Sequence, residues 1–356
     1  MDKEQLKNQA IDWLSQLIGT PRVSREEKEA ADLLGSLMTE QCGLQIQRLG
    51  NNLWTTAPGY SAERPTLLLN AHIDTVRPVS GWVRNPFEAK REAGRIYGLG
   101  SNDDGASLVS LLQAFRVLSS RSQAYNLVFL ASAEEEVSGQ GGIASVLPQL
   151  PTPALALVGE PTGMQPAVAE RGLMVLDVTA RGRAGHAARE EGDNAIYRAM
   201  KDIEWFRTRQ WPLVSPLLGP VKMTVTVIQA GTQHNVVPDE CRFTVDVRTN
   251  ECYRNEALYG LICREVKSEV QARSFRLNSS GIDPEHPLVR RAVALGGKPF
   301  GSPTLSDQAL MPFPSMKMGP GQSSRSHTAD EFVTESEISE AISHYITLLD
   351  GLDIRS

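Results

Sequence analysis

The chain has 356 residues, of which 41% are hydrophobic and 22% are charged, and its formal net charge is −6. This length exceeds one compact hydrophobic core of typical size, so we expect two globular domains. The composition excludes extensive disorder, and the mixed charges leave no basic patch for nucleic acid or an anionic membrane.

The N-terminus and the cysteines bear on the compartment. The first ten residues, MDKEQLKNQA, are polar, and no apolar run has the length of a signal peptide or a membrane span. We therefore expect a cytoplasmic protein with no membrane partner. The cysteines form no CxxC pair and are expected to be buried free thiols. They are Cys42, Cys241, Cys252 and Cys263.

Three short apolar runs, 66–71, 126–131 and 154–159, predict buried parallel strands. Between the first two, segment 104–119 has apolar residues at helical spacing. Strands that alternate with helices indicate a doubly wound, mostly parallel α/β sheet. The apolar residues of the helix are Leu108, Leu111, Leu112, Phe115 and Leu118.

From about Gly172 the pattern changes to alternating strands and two helix-like segments, an order that predicts an inserted ferredoxin-like α+β domain. We place this domain at 169–279, between the parts 1–168 and 280–356 of the catalytic domain. The strands are 173–180, 222–229 and 242–248, and the helices are 193–208 and 254–270. A final helix over 335–349 has Ile338, Ile342, Tyr345 and Leu349 on one face.

Each of the three parallel strands runs directly into acidic or imidazole residues. His72 and Asp74 follow the first strand, the run 134–136 follows the second, and Glu160 follows the third. Ligands of open α/β sheets bind at the carboxyl ends of the strands, so these side chains are expected at one edge. Asp103 and Asp104, after a glycine-rich turn, open the helix that faces the same edge.

Each residue also has a structural interpretation when it is taken alone. His72 and Asp74 could form a hydrogen-bonded pair, and Asp103 or Asp104 could cap the helix. The acidic run could be solvated surface charge, Glu160 could begin a turn, and His327 could be a loop residue. Together, two histidines with several carboxylates and no thiolate suit two divalent ions bridged by an aspartate.

In order and together, these residues resemble the co-catalytic zinc exopeptidases and deacylases, a family that includes acetylornithine deacetylases, succinyl-diaminopimelate desuccinylases, aminoacylases and glutamate carboxypeptidases. The resemblance spans nearly the whole chain and is nearest to the acetylornithine deacetylases. The matching motifs are His72-Ile73-Asp74, Gly98-Leu99-Gly100-Ser101-Asn102-Asp103, Glu135-Glu136, Gly159-Glu160-Pro161-Thr162, Arg183-Ala184-Gly185-His186, Asn235-Val236-Val237-Pro238 and Ser326-His327-Thr328.

The resemblance implies two Zn²⁺ ions, for which Co²⁺ can substitute, with Asp103 as the bridging ligand. His72 and Glu160 would complete one site, and Glu136 and His327 the other. The resemblance also implies a cis peptide between Asp103 and Asp104.

The remaining implied roles concern catalysis and substrate. Asp74 would orient His72, and Glu135 would be the general base. His186, contributed by the partner subunit of a homodimer, would stabilise the oxyanion. Asn235 and Arg248 would bind substrate, although an ion pair with Asp246 would also explain the arginine.

The implied reaction is deacylation of an N2-acylated amino acid, with N-acetyl-L-ornithine as first choice, in arginine biosynthesis. Leu305 stands where the desuccinylases tend to carry a hydroxyl residue, and this weakens the diaminopimelate interpretation. Succinylornithine, acetylcitrulline, succinyl-diaminopimelate and dipeptides remain alternative substrates. A non-catalytic binding protein is the alternative from another class, although no predicted ligand or base is missing.

Overall fold

The computed structural model of the protein describes residues 2–354. The chain divides into two compact units. Unit 1 comprises Met1–Val168, Gly281–Phe300 and Ser306–Ser356, and unit 2 comprises Ala169–Ser280 and Gly301–Leu305. The segment Gly301–Leu305, which we assigned to the catalytic domain, thus groups with the inserted unit.

Runs of one or more strands are separated by helices along the described chain. The helices are α1 (Lys3–Ile18), α2 (Lys28–Ser36), α3 (Ala106–Ser119), α4 (Ile143–Val146), α5 (Ala195–Thr208), α6 (Asn255–Glu265), α7 (Pro287–Ala294) and α8 (Glu335–Leu349). The strands are β1 (Gln47–Leu49), β2 (Asn52–Thr56), β3 (Thr66–His72), β4 (Lys90–Glu92), β5 (Arg95–Tyr97), β6 (Asn126–Ser132), β7 (Leu155–Val158), β8 (Ala167–Glu170), β9 (Gly172–Arg181), β10 (Gly185–His186), β11 (Lys222–Ala230), β12 (Val236–Val237), β13 (Glu240–Thr249), β14 (Glu269–Ala272), β15 (Ser280–Gly281), β16 (Phe300–Ser302), β17 (Ser315–Lys317) and β18 (Phe332–Thr334).

The main sheet of unit 1 has the strand order β1-β2-β6-β3-β7-β17. β3 runs parallel to both β6 and β7, and β17 runs parallel to β7, whereas β2 pairs antiparallel with β6. Leu67 and Leu69 pack into one hydrophobic core and Leu68 into another, because successive side chains of a strand point to opposite faces. This confirms the doubly wound, mostly parallel sheet.

The predicted helices α3 and α8 cover one face of this sheet with the residues expected. All five apolar residues singled out in α3 are buried, as are Ile338, Ile342, Tyr345 and Leu349 of α8. α1 packs beside them through Leu6, Ala10, Leu14 and Leu17. These four have helical spacing, so the missed helix α1 could have been predicted from its periodicity.

Unit 2 has an antiparallel sheet of order β11-β13-β9-β14 with α5 and α6. Its chain order β9-α5-β11-β13-α6-β14 is the β-α-β-β-α-β order expected. The helix predicted over 254–270 was wrong at its end, because α6 stops at Glu265. The backbone amides of Lys267 and Ser268 donate to the carboxylate of Asp202, so they leave the helix and lead into β14.

Two further expectations can be compared with the described residues. None of the described helices has the length and apolar character needed to cross a membrane. The four cysteines are free thiols, but the prediction that all are buried was wrong. Cys241 is buried and Cys42 is half-buried, whereas Cys252 and Cys263 are exposed. Cys252 lies in the turn before α6, and Cys263 lies on α6 outside its buried face.

Candidate metal centre

The carboxyl ends of β3, β6 and β7 bring the predicted ligands of unit 1 to one sheet edge. His72 is the last residue of β3 and pairs in register with Ser132, the last residue of β6. A short 3-10 turn after β6 carries Glu135 and Glu136, and Glu160 lies two residues beyond the end of β7. The parallel register therefore places residues far apart in sequence at the same edge.

His72 is buried and has its two ring nitrogens in different environments. Nδ1 lies 3.0 Å from the backbone carbonyl of Asp74, which accepts the ring proton. A neutral ring would present its lone pair at Nε2, which lies 3.2 Å from Asp103 Oδ1 and 3.9 Å from Glu135 Oε2. Burial lowers the pKa of His72, but the carboxylates of Asp103 and Asp74 outweigh it and hold that pKa well above its usual value. A neutral imidazole fixed in this tautomer is the form that binds a metal ion.

Asp103 lies between the two histidines and presents one carboxylate oxygen to each of them. Its Oδ1 faces His72, and its Oδ2 lies 3.7 Å from His327 Nε2. His327 Nε2 also lies 3.0 Å from Glu136 Oε2. The Asp103–Asp104 peptide is cis, as the resemblance implied. Asp103 thus occupies the position that a ligand shared by two ions requires.

The donor set fits divalent ions in spacing as well as in chemistry. Two groups of possible ligand atoms, each mutually within 4.8 Å, are His72 with Glu135 and Glu160, and His72 with Asp103 and Glu136. They differ from the predicted sets, because His327 is in neither group and the predicted base Glu135 is in the first. Ligand atoms around a tetrahedral zinc with bonds of about 2.0–2.2 Å lie about 3.3–3.6 Å apart. The nitrogen-to-carboxylate distances of 3.0–3.7 Å at His72, Asp103, Glu136 and His327 span this range.

Glu135 has the environment of a group that exchanges a proton. Burial raises its pKa well above the usual range of a glutamate, and the carboxylates of Glu160 and Asp307 add to this effect while His72 opposes it. A carboxyl group whose pKa is raised in this way is suited to take up and return a proton.

Asp74 contacts His72, as expected, and makes further contacts that we did not expect. Its carboxylate Oδ1 lies 3.6 Å from His72 Nδ1, within ion-pair distance, and its two oxygens also accept three hydrogen bonds. They accept the backbone amides of Glu135 at 3.0 Å and Glu136 at 3.2 Å, and the Ser24 hydroxyl at 2.6 Å. The Asp74 side chain therefore holds the turn that carries the candidate base and a candidate ligand.

Glu331 does the same for the loop that carries Asp103, and sequence reasoning missed this. The buried carboxylate of Glu331 accepts the backbone amides of Gly100, Asn102 and Asp103, at 3.0, 2.8 and 2.9 Å. Burial first, and then the charge of Asp103, raise the pKa of Glu331 to about 7. The residue ends the segment that begins with the Ser326-His327-Thr328 motif, but nothing in the motif indicates that it binds main-chain amides.

Replacing Glu331 by glutamine should destabilise this loop. The glutamine amide group would face at least one backbone donor, and an unsatisfied buried donor costs about 1–3 kcal/mol. We expect Glu331→Gln to lower the free energy of unfolding by that amount, measured by urea denaturation. The exposed Glu340→Gln of α8 is the matched control. Equal stability of the two variants would contradict the role of Glu331.

Asp307 links the ends of the two central strands. Its carboxylate accepts the Asn70 amide of β3 at 2.9 Å and the Ser132 hydroxyl of β6 at 2.6 Å. Asp307 is buried, and burial raises its pKa to about 6. The segment around Asp307 stood out in the sequence only for Leu305, at the position where desuccinylases tend to carry a hydroxyl residue.

The predicted residues of unit 2 fall into two places. His186 in β10 pairs with Val236 in β12, which brings Asn235 beside it, and the backbone of Asn235 accepts the Ala187 amide. His186 Nδ1 accepts the Ala188 amide at 3.1 Å, which leaves Nε2 to carry the proton. His186 can therefore donate a hydrogen bond from an exposed position.

Arg248 lies near the end of β13 in the four-stranded sheet, whereas His186 belongs to the separate two-stranded sheet β10-β12. Strand β13 begins at Glu240, a few residues after Asn235, and eight residues of extended strand separate Glu240 from Arg248 by about 27 Å. The Arg248 guanidinium makes a two-point ion pair with Asp246, at 2.8 and 3.0 Å. The ion pair with Asp246, which would explain Arg248 without a substrate, is therefore present. The role of Arg248 in binding substrate stays a prediction.

Comparisons with known proteins agree with this geometry. A model of the family described as Peptidase family M20/M25/M40 matches residues 68–351. An acetylornithine deacetylase of Proteus mirabilis is 28% identical over 91% of both chains. A putative LysW-lysine/LysW-ornithine hydrolase of Pyrobaculum aerophilum is 28% identical over 77% of this chain and 78% of its own. The fold matches a crystal structure of a Staphylococcus aureus tripeptidase with a TM-score of 0.75 and 19% identity, covering 97% of this chain and 98% of the other.

Proposed function

The chain belongs to peptidase family M20/M25/M40, and from that premise we propose that this hydrolase removes the acyl group from an N2-acylated amino acid. The first-choice substrate is N-acetyl-L-ornithine, which would give L-ornithine and acetate in cytoplasmic arginine biosynthesis. The observation that carries the proposal is the placement of Asp103 between His72 and His327. The acetylornithine deacetylase relative supports the choice of acyl substrate.

The chain would hold two divalent ions, with zinc as first choice and cobalt as a substitute. His72, Asp103 and Glu160 would hold one ion. Asp103, Glu136 and His327 would hold the other. Such ions, when bound, polarise an amide carbonyl and lower the pKa of water near neutrality.

The side chains of the centre would transfer the proton, position the reacting groups and stabilise the oxyanion. Glu135 would take the proton of the attacking water at a carboxylate oxygen and return it to the nitrogen of the leaving amine. Asp74 would orient His72 and would also keep Glu135 in place through the backbone amides of the turn. His186 would donate from Nε2 to the oxyanion that develops on the former carbonyl oxygen.

A substrate panel tests the reaction and its specificity. We would compare kcat/KM for N-acetyl-L-ornithine, N-acetyl-L-citrulline, N-succinyl-L-ornithine, N-succinyl-diaminopimelate, N2-acetyl-L-lysine and simple dipeptides. The proposal predicts the highest value for N-acetyl-L-ornithine. A clear preference for dipeptides would replace the deacylase by a peptidase, and a preference for a succinyl compound would correct the acyl group.

We also propose that the active enzyme is a homodimer. The resemblance places His186 in the site of the partner subunit, and within one chain His186 and Arg248 belong to different sheets of unit 2. We infer that one site that uses both takes them from two copies. Edge strand β11 is largely exposed, and Ile228 on it and Tyr197 on α5 are each more than half exposed, which offers a surface for the second copy.

Mixing two inactive variants tests whether His186 acts across subunits. If it does, dimers of Glu135→Gln and dimers of His186→Ala, once exchanged, would form mixed dimers with one complete site. Full exchange at equal amounts would restore about a quarter of wild-type activity, since half of the dimers are mixed and each has one working site.

The controls separate exchange from activity. Dissociation and reassociation in mild denaturant, followed by native mass spectrometry of an affinity-tagged variant, would measure the fraction of mixed dimers. Each parent variant taken alone through the same steps gives the baseline. Mixed dimers without recovered activity would exclude a role of His186 in the partner's site.

A further inference from the structure

The inference concerns Arg22, a buried cation behind the candidate metal centre, and it rests on the proposed metal-dependent function. Arg22 lies between α1 and α2 and is 2% exposed. Its Nη2 donates to the carbonyl of Gly100 at 2.7 Å, while Nε and Nη1 have no hydrogen-bond partner among residues 2–354. Burying a charged group with so few partners is costly, so its position needs a physical reason.

The guanidinium of Arg22 fits closely behind the loop that carries Asp103. A Cβ atom added to Gly100 would lie 2.4 Å from Nη2, and one added to Gly105 would lie 3.0 Å from it. Only glycine therefore allows the guanidinium to approach the loop backbone at Gly100, where the backbone φ is +72°. The loop backbone thus makes room for a buried guanidinium, and the contact is not one that a surface side chain makes by chance.

The charges around Arg22 are carboxylates of the metal centre and its supports. Burial lowers the pKa of Arg22 to about 10, and attraction to Glu331, Asp74, Asp104 and Asp103, in decreasing order, opposes this. Arg22 thus remains charged at neutral pH. It compensates several carboxylates at longer range instead of pairing with one of them.

The balance of charge shows why such a cation is useful. Eight carboxyl groups lie in or directly behind the centre, and burial together with their neighbours' charges raises the pKa of all but Asp74 and Asp103. The eight groups are Asp74, Asp103, Asp104, Glu135, Glu136, Glu160, Asp307 and Glu331. Before any ion binds, the members that remain charged repel one another, and a fixed positive charge beside them reduces the free-energy cost of keeping them together.

We propose that Arg22 is a positioning residue, a fixed counter-cation that keeps the carboxylates of the metal-free centre assembled. Its positive charge also repels the incoming ions, so it limits how tightly they are held. Loss of the Arg22 charge should therefore lower the stability of the metal-free protein and strengthen its binding of metal ions. This separates a counter-cation from a residue that only packs, because loss of a packing residue weakens both.

The test compares Arg22→Gln, which removes the charge, with Arg22→Lys, which keeps it. Arg116→Gln on α3 is the matched control, since Arg116 is also partly buried in unit 1 but hydrogen-bonds Gln9 and Gln113. Each full-length protein is stripped with a chelator, and its Tm is measured before and after Zn²⁺ is added. Zn²⁺ affinity is measured by competition with a chromophoric chelator.

For the metal-free proteins we expect Arg22→Gln to lower Tm by about 5 °C or more and Arg22→Lys to change it by about 2 °C or less. Zn²⁺ should bind to Arg22→Gln about tenfold more tightly than to the wild type. The increase in Tm on zinc binding should be larger than in the wild type. Arg116→Gln should leave the zinc affinity unchanged.

Weaker zinc binding by Arg22→Gln, or an equal loss of Tm in metal-free and loaded protein, would overturn the proposal. If the glutamine variant did not fold, Arg22→Lys would decide, because a lysine variant as unstable as Arg22→Gln would show that charge is not what matters. Failure of the wild type to bind Zn²⁺ would instead remove the proposed metal centre. The metal-free Tm values would still test Arg22 in that case, and equal values for Gln and Lys would reject it.

Discussion

Replacing Glu135 by glutamine is expected to lower kcat by about 10²- to 10⁴-fold, because the glutamine side chain cannot take up the proton of the attacking water. Glutamine has nearly the same shape, and the Asp74 carboxylate would still hold the turn through its backbone amides. Metal content, measured by mass spectrometry of the purified protein, should therefore stay at the wild-type value while turnover falls.

Glu134 provides the matched control for this variant. It lies next to Glu135, but its carboxylate accepts the Gly141 amide and approaches Arg25, away from the two ligand groups. Glu134→Gln should keep activity within a few-fold of the wild type. Activity of Glu135→Gln close to that of Glu134→Gln, with the metal retained, would exclude Glu135 as the base.

Replacing Asp103 by alanine is expected to have the second large effect, since this side chain faces both histidines. We expect metal content to fall from about two ions per chain to one or fewer, and kcat/KM to fall by more than about 100-fold. Isothermal titration of the stripped variant with Zn²⁺ would show whether one site, both or neither is lost.

The exposed Asp12→Ala on α1 controls for a general effect of removing an aspartate. Asp103→Asn would show whether an uncharged oxygen at this position retains one ion. Two tightly bound ions in Asp103→Ala would contradict the shared-ligand role, and full activity would place the reaction elsewhere in the protein.

The main sheet and two of its helices could be predicted because their residues are buried on both faces or repeat at helical spacing. Runs such as 127–131 are continuously apolar because both faces of β6 meet a core. The end of α6 could not be predicted, since it depends on Asp202, which lies 65 residues earlier than Lys267. Such a contact leaves no local pattern.

The candidate site was predictable where chemistry coincides with position at a strand end. His72 and Glu160 follow buried strands, and parallel pairing brings them to one edge. The groups that hold the site were not predictable, because Glu331 and Arg22 bind backbone atoms of the Gly100 loop through long-range contacts. A lone arginine after Thr20-Pro21 has no sequence pattern that indicates burial.

The contacts of Asp74 show the same limit at a residue that was identified. The spacing of His72 and Asp74 suggested that the carboxylate would contact the imidazole. The carboxylate lies 3.6 Å from the imidazole, but the backbone carbonyl of Asp74 makes the shorter contact, and the carboxylate also accepts the amides after β6. Spacing along one strand cannot show that a neighbouring strand supplies better donors.

The most direct test of the account is the hydrolysis of N-acetyl-L-ornithine by stripped and reloaded protein. Removal of metal with a chelator should abolish the release of ornithine, and addition of about two equivalents of Zn²⁺ or Co²⁺ per chain should restore it. Full activity in protein shown by mass spectrometry to be free of metal would contradict the assignment of His72, Asp103, Glu136, Glu160 and His327 as ligands of a catalytic centre.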